Sequence, residues 1–166
     1  MRVLMIVAPQ EFRDEEYLHP REELEKKGAR ITVASLTTNE CAGRFGAKVT
    51  PDISIDKVDV DDYDAVVFVG GGGSKVYFDN DTALRIAKEF ATKGKVTSAI
   101  CIAPMILANA GLLKGRKATA WDHEDDIKNA GGTYTGNPVE VDGNIITANG
   151  PDAARDFGRE IAKKLE

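Results

Sequence analysis

The sequence is poor in the residues that disulfide and zinc scaffolds need. It has two cysteines, Cys41 and Cys101, no Cys-x-x-Cys pair, and two histidines, His19 and His123. A disulfide framework is not expected, a metal site is not favoured, and a reducing, cytoplasmic setting is expected. Basic residues are also in deficit. The 22 Lys and Arg stand against 27 Asp and Glu, for a formal net charge of −5. That balance argues against a nucleic-acid or anionic-membrane partner, which a basic face would serve. No apolar run approaches the roughly 20 residues of a membrane span. The opening MRVLMIVAPQEF has one basic residue, and its apolar run stops at Pro9, so it reads as a strand and not a signal peptide. Linkers, repeats and low-complexity segments are missing too, and residues 1–166 read as one domain.

What is present is a regular alternation of buried strands and helices. Val3 to Ala8 is a continuous apolar run, as in a strand covered on both faces of a parallel sheet. Phe12 to Lys27 has a helical pattern, with Asp14 in the N-cap region and Gly28 as its stop. Arg30 to Leu36 is the next strand, so the chain opens as a parallel β–α–β unit. Residues 37 to 62 are irregular, with short β runs at Ala47–Val49 and Asp52–Ile55, and Asp56 to Asp64 reads as a solvated loop. Further strands are expected at Ala65–Val69, Lys95–Ile100 and Arg116–Ala120. Helices are expected at Asp81–Lys93, Ile102–Ala110, His123–Ala130 and Asp152–Leu165. Val139–Val141, an Asp142-Gly143 turn and Asn144–Ala148 form a hairpin. The fold class is α/β: a doubly wound three-layer sandwich with a mostly parallel sheet.

Such sheets bind ligands beyond the carboxyl ends of their strands. Three strand ends carry candidate chemistry here: the acidic segment Glu11–Glu16, the glycine loop Gly70–Gly73, and Cys101. Cys101 stands at a strand-to-helix turn between the small residues Ala99 and Ala103, as at a nucleophile elbow. The following helix would lower its pKa. The plainer reading of Cys101 is a buried small hydrophobe. The glycine loop has no GxGxxG and no Walker spacing, which disfavours a phosphate or dinucleotide site. It serves either as a tight turn or as a source of exposed N–H groups for an oxyanion hole. No cofactor is implied.

Five segments together resemble the ThiJ/PfpI superfamily, which includes the PfpI intracellular proteases and the DJ-1 proteins. They are EFRDEEYLHP, AVVFVGGGG, AICIAP, AGLLKGRKAT and VEVDGNIITANGP, in family order and spacing from end to end of the chain. The resemblance implies a flavodoxin-like sandwich related to class I glutamine amidotransferases. It implies Cys101 as nucleophile and Glu16 as the glutamate that hydrogen-bonds the sulfur. It implies Gly71 or Gly72, with the N–H of Ile102, as the oxyanion hole. Self-association as a dimer or hexamer is also implied by the resemblance. A protonated Glu16 would donate to a thiolate and stabilise it.

The chain departs from the family pattern where chemistry is concerned. Position 102 is Ile where PfpI-type proteases have His, so no base adjoins the nucleophile. Arg13 stands in place of an acid, Val69 in place of proline, and Asn149 in place of an arginine. His123 is the remaining candidate base, or else it opens a surface helix. Trp121 would wall the pocket or simply pack, and His19 would line the pocket or an interface. Two readings follow. One is a cysteine-dependent enzyme acting on small carbonyl compounds, in the manner of a glyoxalase or deglycase, or on peptides. The other is a stress-response protein in which Cys101 is reversibly oxidised.

Overall fold

The computed structural model describes residues 1–166. The chain opens with β1 (Arg2–Ile6), β2 (Gln10–Phe12), α1 (Asp14–Lys26) and β3 (Arg30–Ser35). Three short strands follow: β4 (Cys41–Gly43), β5 (Lys48–Val49) and β6 (Ile53–Ser54). Then come β7 (Ala65–Phe68), α2 (Asp81–Thr92), β8 (Val96–Ile100), α3 (Pro104–Asn109), β9 (Lys117–Ala118) and α4 (Glu124–Asn129). The chain closes with β10 (Thr133–Tyr134), the hairpin β11 (Val139–Asp142) and β12 (Ile145–Ala148), and α5 (Ala154–Leu165).

Seven strands form the central sheet in the order β11-β12-β8-β7-β1-β3-β6. Every pairing in it is parallel except β11 with β12. The alternation of side chains across each strand sorts the core into two halves. Val3, Met5 and Val7 pack with Tyr17 and Leu24 of α1 and Phe157 and Ile161 of α5. Leu4, Ile6 and Ala8 face the other way, onto Ile86 and Phe90 of α2, Ile106 of α3 and Ile127 of α4. A sheet covered on both faces is why its strands read as unbroken apolar runs. The expected flavodoxin-like α/β architecture is the one observed.

Some local expectations are corrected. The glycine loop runs into a 3-10 helix, Gly72–Tyr77. Asp56 to Asp64 is not simply solvated, because two 3-10 turns bury Val60 and Tyr63. Asp14 does not cap α1. Arg13 holds the N-cap position, and the buried Asp14 carboxylate instead accepts the N–H groups of Phe45 and Ala47, at 3.1 and 2.9 Å. The helix after Cys101 begins at Pro104 and not at Ile102, since residues 101 to 103 form a turn of their own. No helix is long and apolar enough to cross a membrane.

Candidate active site

The carboxyl ends of β1, β7 and β8 meet at one cleft of about 990 Å³. Glu11 and Arg13 come to it from the segment after β1, Gly71 and Gly72 from the loop after β7, and Cys101 and Ile102 from the turn after β8. Trp121, Asp122, His123 and Asn149 line its other side. Three non-glycine residues in the chain have φ in the left-handed region: Glu11 (61°), Cys101 (67°) and Asp122 (51°). All three line this cleft. Such a conformation costs a non-glycine residue about 1–3 kcal/mol, and it persists only where its surroundings impose it.

The elbow is imposed by its hydrogen bonds. The Cys101 N–H donates to the Ala148 carbonyl at 2.9 Å, and the Cys101 carbonyl accepts from Trp121 at 2.8 Å. Ala99 and Ala103 are fully buried beneath it, where larger side chains would push the turn outward. The N–H groups of Gly71 and Ile102 take no part in backbone pairing and donate toward the Cys101 sulfur. The glycine loop is close-packed as well as tight. A Cβ on Gly71 would come within 2.7 Å of the Glu11 carbonyl and 2.8 Å of the Phe12 carbonyl carbon, and Gly71 itself sits at φ 100°. The Arg13 N–H ties the two loops together by donating to the Gly70 carbonyl at 2.9 Å.

Glu16 is fully buried on the first turns of α1. Neither carboxyl oxygen has a hydrogen-bond partner, and the Cys101 side chain is its neighbour across Gly70. The two side chains meet over Gly70. A Cβ there would overlap Glu16 Oε1 and lie 2.6 Å from Cys101 Cβ. Burial pushes the Glu16 carboxyl up to about 8, so it holds its proton at neutral pH. Burial and the neighbouring carboxylate push the Cys101 thiol up to about 12, against the pull of the Gly71 and Ile102 N–H groups. The helix-derived lowering of the thiol pKa is thus corrected. α3 is only six residues long and starts three residues after Cys101, while the sulfur lies in a dry pocket beside an acid.

The two groups act as one titrating unit. The pair keeps both protons up to about pH 8, and there it loses the first. The remaining proton stays mainly on sulfur, because the N–H groups of Gly71 and Ile102 lower the thiol without bringing it below the carboxyl.

His123 and Trp121 line the cleft, as does Asn149, whose N–H donates to the Pro138 carbonyl at 2.9 Å. His123 makes no hydrogen bond to Cys101. Its Nδ1 is 2.6 Å from Asp126 Oδ2, its ring stands edge-on to Phe78, and the residue sits at the N-cap of α4. His19 is not in the cleft, contrary to the pocket role expected for it. It lies a turn further along α1, and α1 runs away from the strand ends. Cys41 is buried, with its thiol 3.6 Å from the Asn39 carbonyl. No group of three or more His, Cys, Asp or Glu side chains is placed to hold a metal ion.

The sequence reading missed several cleft residues, among them Arg44, Lys75 and Asp152, and gave Arg13 no place in the cleft. Arg13 was visible only as a departure from a motif. Single cations in a turn and a 3-10 helix carry no spacing signal.

The fold and this site define an α/β sandwich with a cysteine elbow and a buried partner acid. The chain belongs to the DJ-1/PfpI family, whose model matches residues 1–164. It is 35% identical to the deglycase PfpI of Pyrococcus furiosus over 167 residues, covering 100% of both chains. It is 48% identical to an uncharacterised protein of Methanocaldococcus jannaschii, covering 99% of this chain and 82% of that one. Among solved structures, a ThiJ/PfpI domain protein from Brachyspira murdochii superposes with a TM-score of 0.96 at 31% identity, covering 99% of this chain and 95% of that one.

Proposed function

We propose that this protein is a cysteine-dependent enzyme of the deglycase type, acting on small α-oxoaldehydes and their adducts. The observation that carries the reading is the buried, unpartnered Glu16 carboxyl, which lies next to the Cys101 side chain that lines the cleft. The named deglycases among its relatives support the same reading.

The chemistry follows from a pair that holds one proton. The Glu16 carboxylate takes the Cys101 proton, and the thiolate attacks the aldehyde carbon of methylglyoxal and forms the S–C bond. The carbonyl electrons move to oxygen, toward the N–H groups of Gly71 and Ile102. Glu16 gives its proton to that oxygen, leaving a hemithioacetal and a carboxylate. The carboxylate then removes the hydrogen on the former aldehyde carbon and returns it to the neighbouring carbon, while the hydroxyl proton passes from the first oxygen to the second, which yields a lactoyl thioester. Water, deprotonated by Glu16, attacks the thioester, and the C–S bond breaks. The products are lactic acid, the thiolate and a protonated Glu16, so the cycle closes. No step needs a histidine next to Cys101. Proteolysis, by contrast, requires protonation of an amine leaving group, and His123 is turned to Asp126.

The test is lactate formation from methylglyoxal by the purified protein, with Cys101→Ser and Glu16→Gln as controls. Both variants are expected to lose about 100-fold or more in rate, the usual worth of a nucleophile or a positioned acid–base group. Lactate formation that is absent, or that persists unchanged in Cys101→Ser, would overturn the reading.

A further inference from the structure

The cleft is lined by charges of both signs: the acids Glu11, Asp122, Asp152 and Asp156, and the cations Arg13, Arg44 and Lys75, in a protein whose net charge is −5. Arg13 is already neutralised, since its guanidinium contacts Glu15 at 2.9 Å. Asp156 is paired with Arg159 at 3.0 Å. Arg44 and Lys75 have no ion-pair partner, and Glu11 pairs with neither.

The position of Arg44 is built into the fold. Its N–H donates to the Phe12 carbonyl at 2.9 Å, and the Gly43 N–H closes the turn onto the Ala47 carbonyl at 2.7 Å. The buried Asp14 carboxylate holds Phe45 and Ala47 by their N–H groups. The Arg44 and Arg13 guanidiniums lie 5.6 and 4.8 Å from the Phe45 ring centroid, so one exposed aromatic ring steadies both. A loop held by two backbone bonds and a buried acid, presenting a cation with no internal partner, is suited to receive an external anion.

We propose that Arg44 and Lys75 form an anion subsite beside Cys101, which takes the carboxylate of the carbonyl adduct being processed. The preferred substrates are then α-oxoaldehyde adducts of carboxylate-bearing thiols or amines. The catalytic use of the subsite rests on the deglycase reading; its affinity for an anion does not.

Two matched comparisons test it. Iodoacetate and iodoacetamide share a reacting carbon and differ by one carboxylate. The ratio of their alkylation rates at Cys101, in low salt, is expected to fall about threefold in each of Arg44→Gln and Lys75→Gln, the scale of one exposed ion pair. The ratio in the unaltered protein is expected to fall in high salt as well. Each variant's own iodoacetamide rate is the reference, so a general change in Cys101 reactivity cancels. The second comparison uses the methylglyoxal hemithioacetals of N-acetylcysteine and N-acetylcysteamine, with kcat/KM for lactate release expected to favour the carboxylate-bearing adduct. Equal alkylation ratios in the protein and both variants would overturn the subsite. A charge-dependent ratio without lactate release would support the subsite and refute the deglycase reading.

Discussion

Glu16 should make the protein less stable as the pH rises, and replacing it should reverse the effect. An unfolded glutamate titrates near its ordinary value of 4.5, whereas the folded Glu16 titrates at about 8. Between these values the folded state holds a proton that the unfolded state has released. Stability therefore falls as pH rises through the window, and the full cost is present above about pH 8. The gap from 4.5 to about 8 corresponds to about 5 kcal/mol, at about 1.4 kcal/mol per pH unit. Glu16→Gln removes the ionisation. It also buries an amide with too few partners, which costs about 1–3 kcal/mol at every pH. The variant should be less stable than the parent by about 1–3 kcal/mol near pH 5 and more stable by about 2–4 kcal/mol at pH 8.5. The two stability curves cross between.

Urea unfolding of both proteins from pH 5 to 8.5 measures this difference, in which other titrating groups largely cancel. The range stops below 9.0, the ordinary value of a thiol, so that ionisation of Cys101 in the unfolded chain does not intrude. A flat difference across the range would refute the reasoning, since Glu16 would then titrate alike in both states. The sign reversal separates this account from a packing defect, which does not depend on pH. A residue that costs stability at neutral pH and above is a candidate for function and not for fold.

Alkylation of Cys101 by iodoacetamide should accelerate through a midpoint near pH 8, where the pair gives up its first proton, and Glu16→Gln should abolish that midpoint; an unchanged profile in the variant would assign the titration elsewhere. Gly70→Ala should lower stability by about 1–3 kcal/mol, because its methyl meets the Ile100 carbonyl at 2.5 Å and Cys101 Cβ at 2.6 Å as well as Glu16. Thermal unfolding checks this; parental stability would show that the loops have room to part.

The sequence made the long buried elements plain and the short ones opaque, for one physical reason. β1, β7 and β8 are covered on both faces, so burial wrote itself into runs such as VLMIVA and AVVFV. β2, β4 and β5 have two or three residues each and are held by backbone pairing, which leaves no pattern in side chains. The turn that presents Arg44 hangs from that small sheet and from Asp14. Asp14 itself looked like a helix cap, because its partners lie some thirty positions away. Long-range polar contacts of this kind have no local signature.

The same limit explains why the sign of the Cys101 shift could not be read from the elbow. A turn ahead of a helix favours a thiolate, and that much is local. What decides the matter is desolvation and an acid from α1, more than eighty positions away in the chain. Once Glu16 is placed beside the sulfur, the missing histidine at position 102 has a physical counterpart. In the proposed reaction Glu16 is the group that takes and returns each proton, a role its titration at about 8 suits. A histidine beside the thiol would supply a second proton carrier, which amide cleavage requires and oxoaldehyde isomerisation does not.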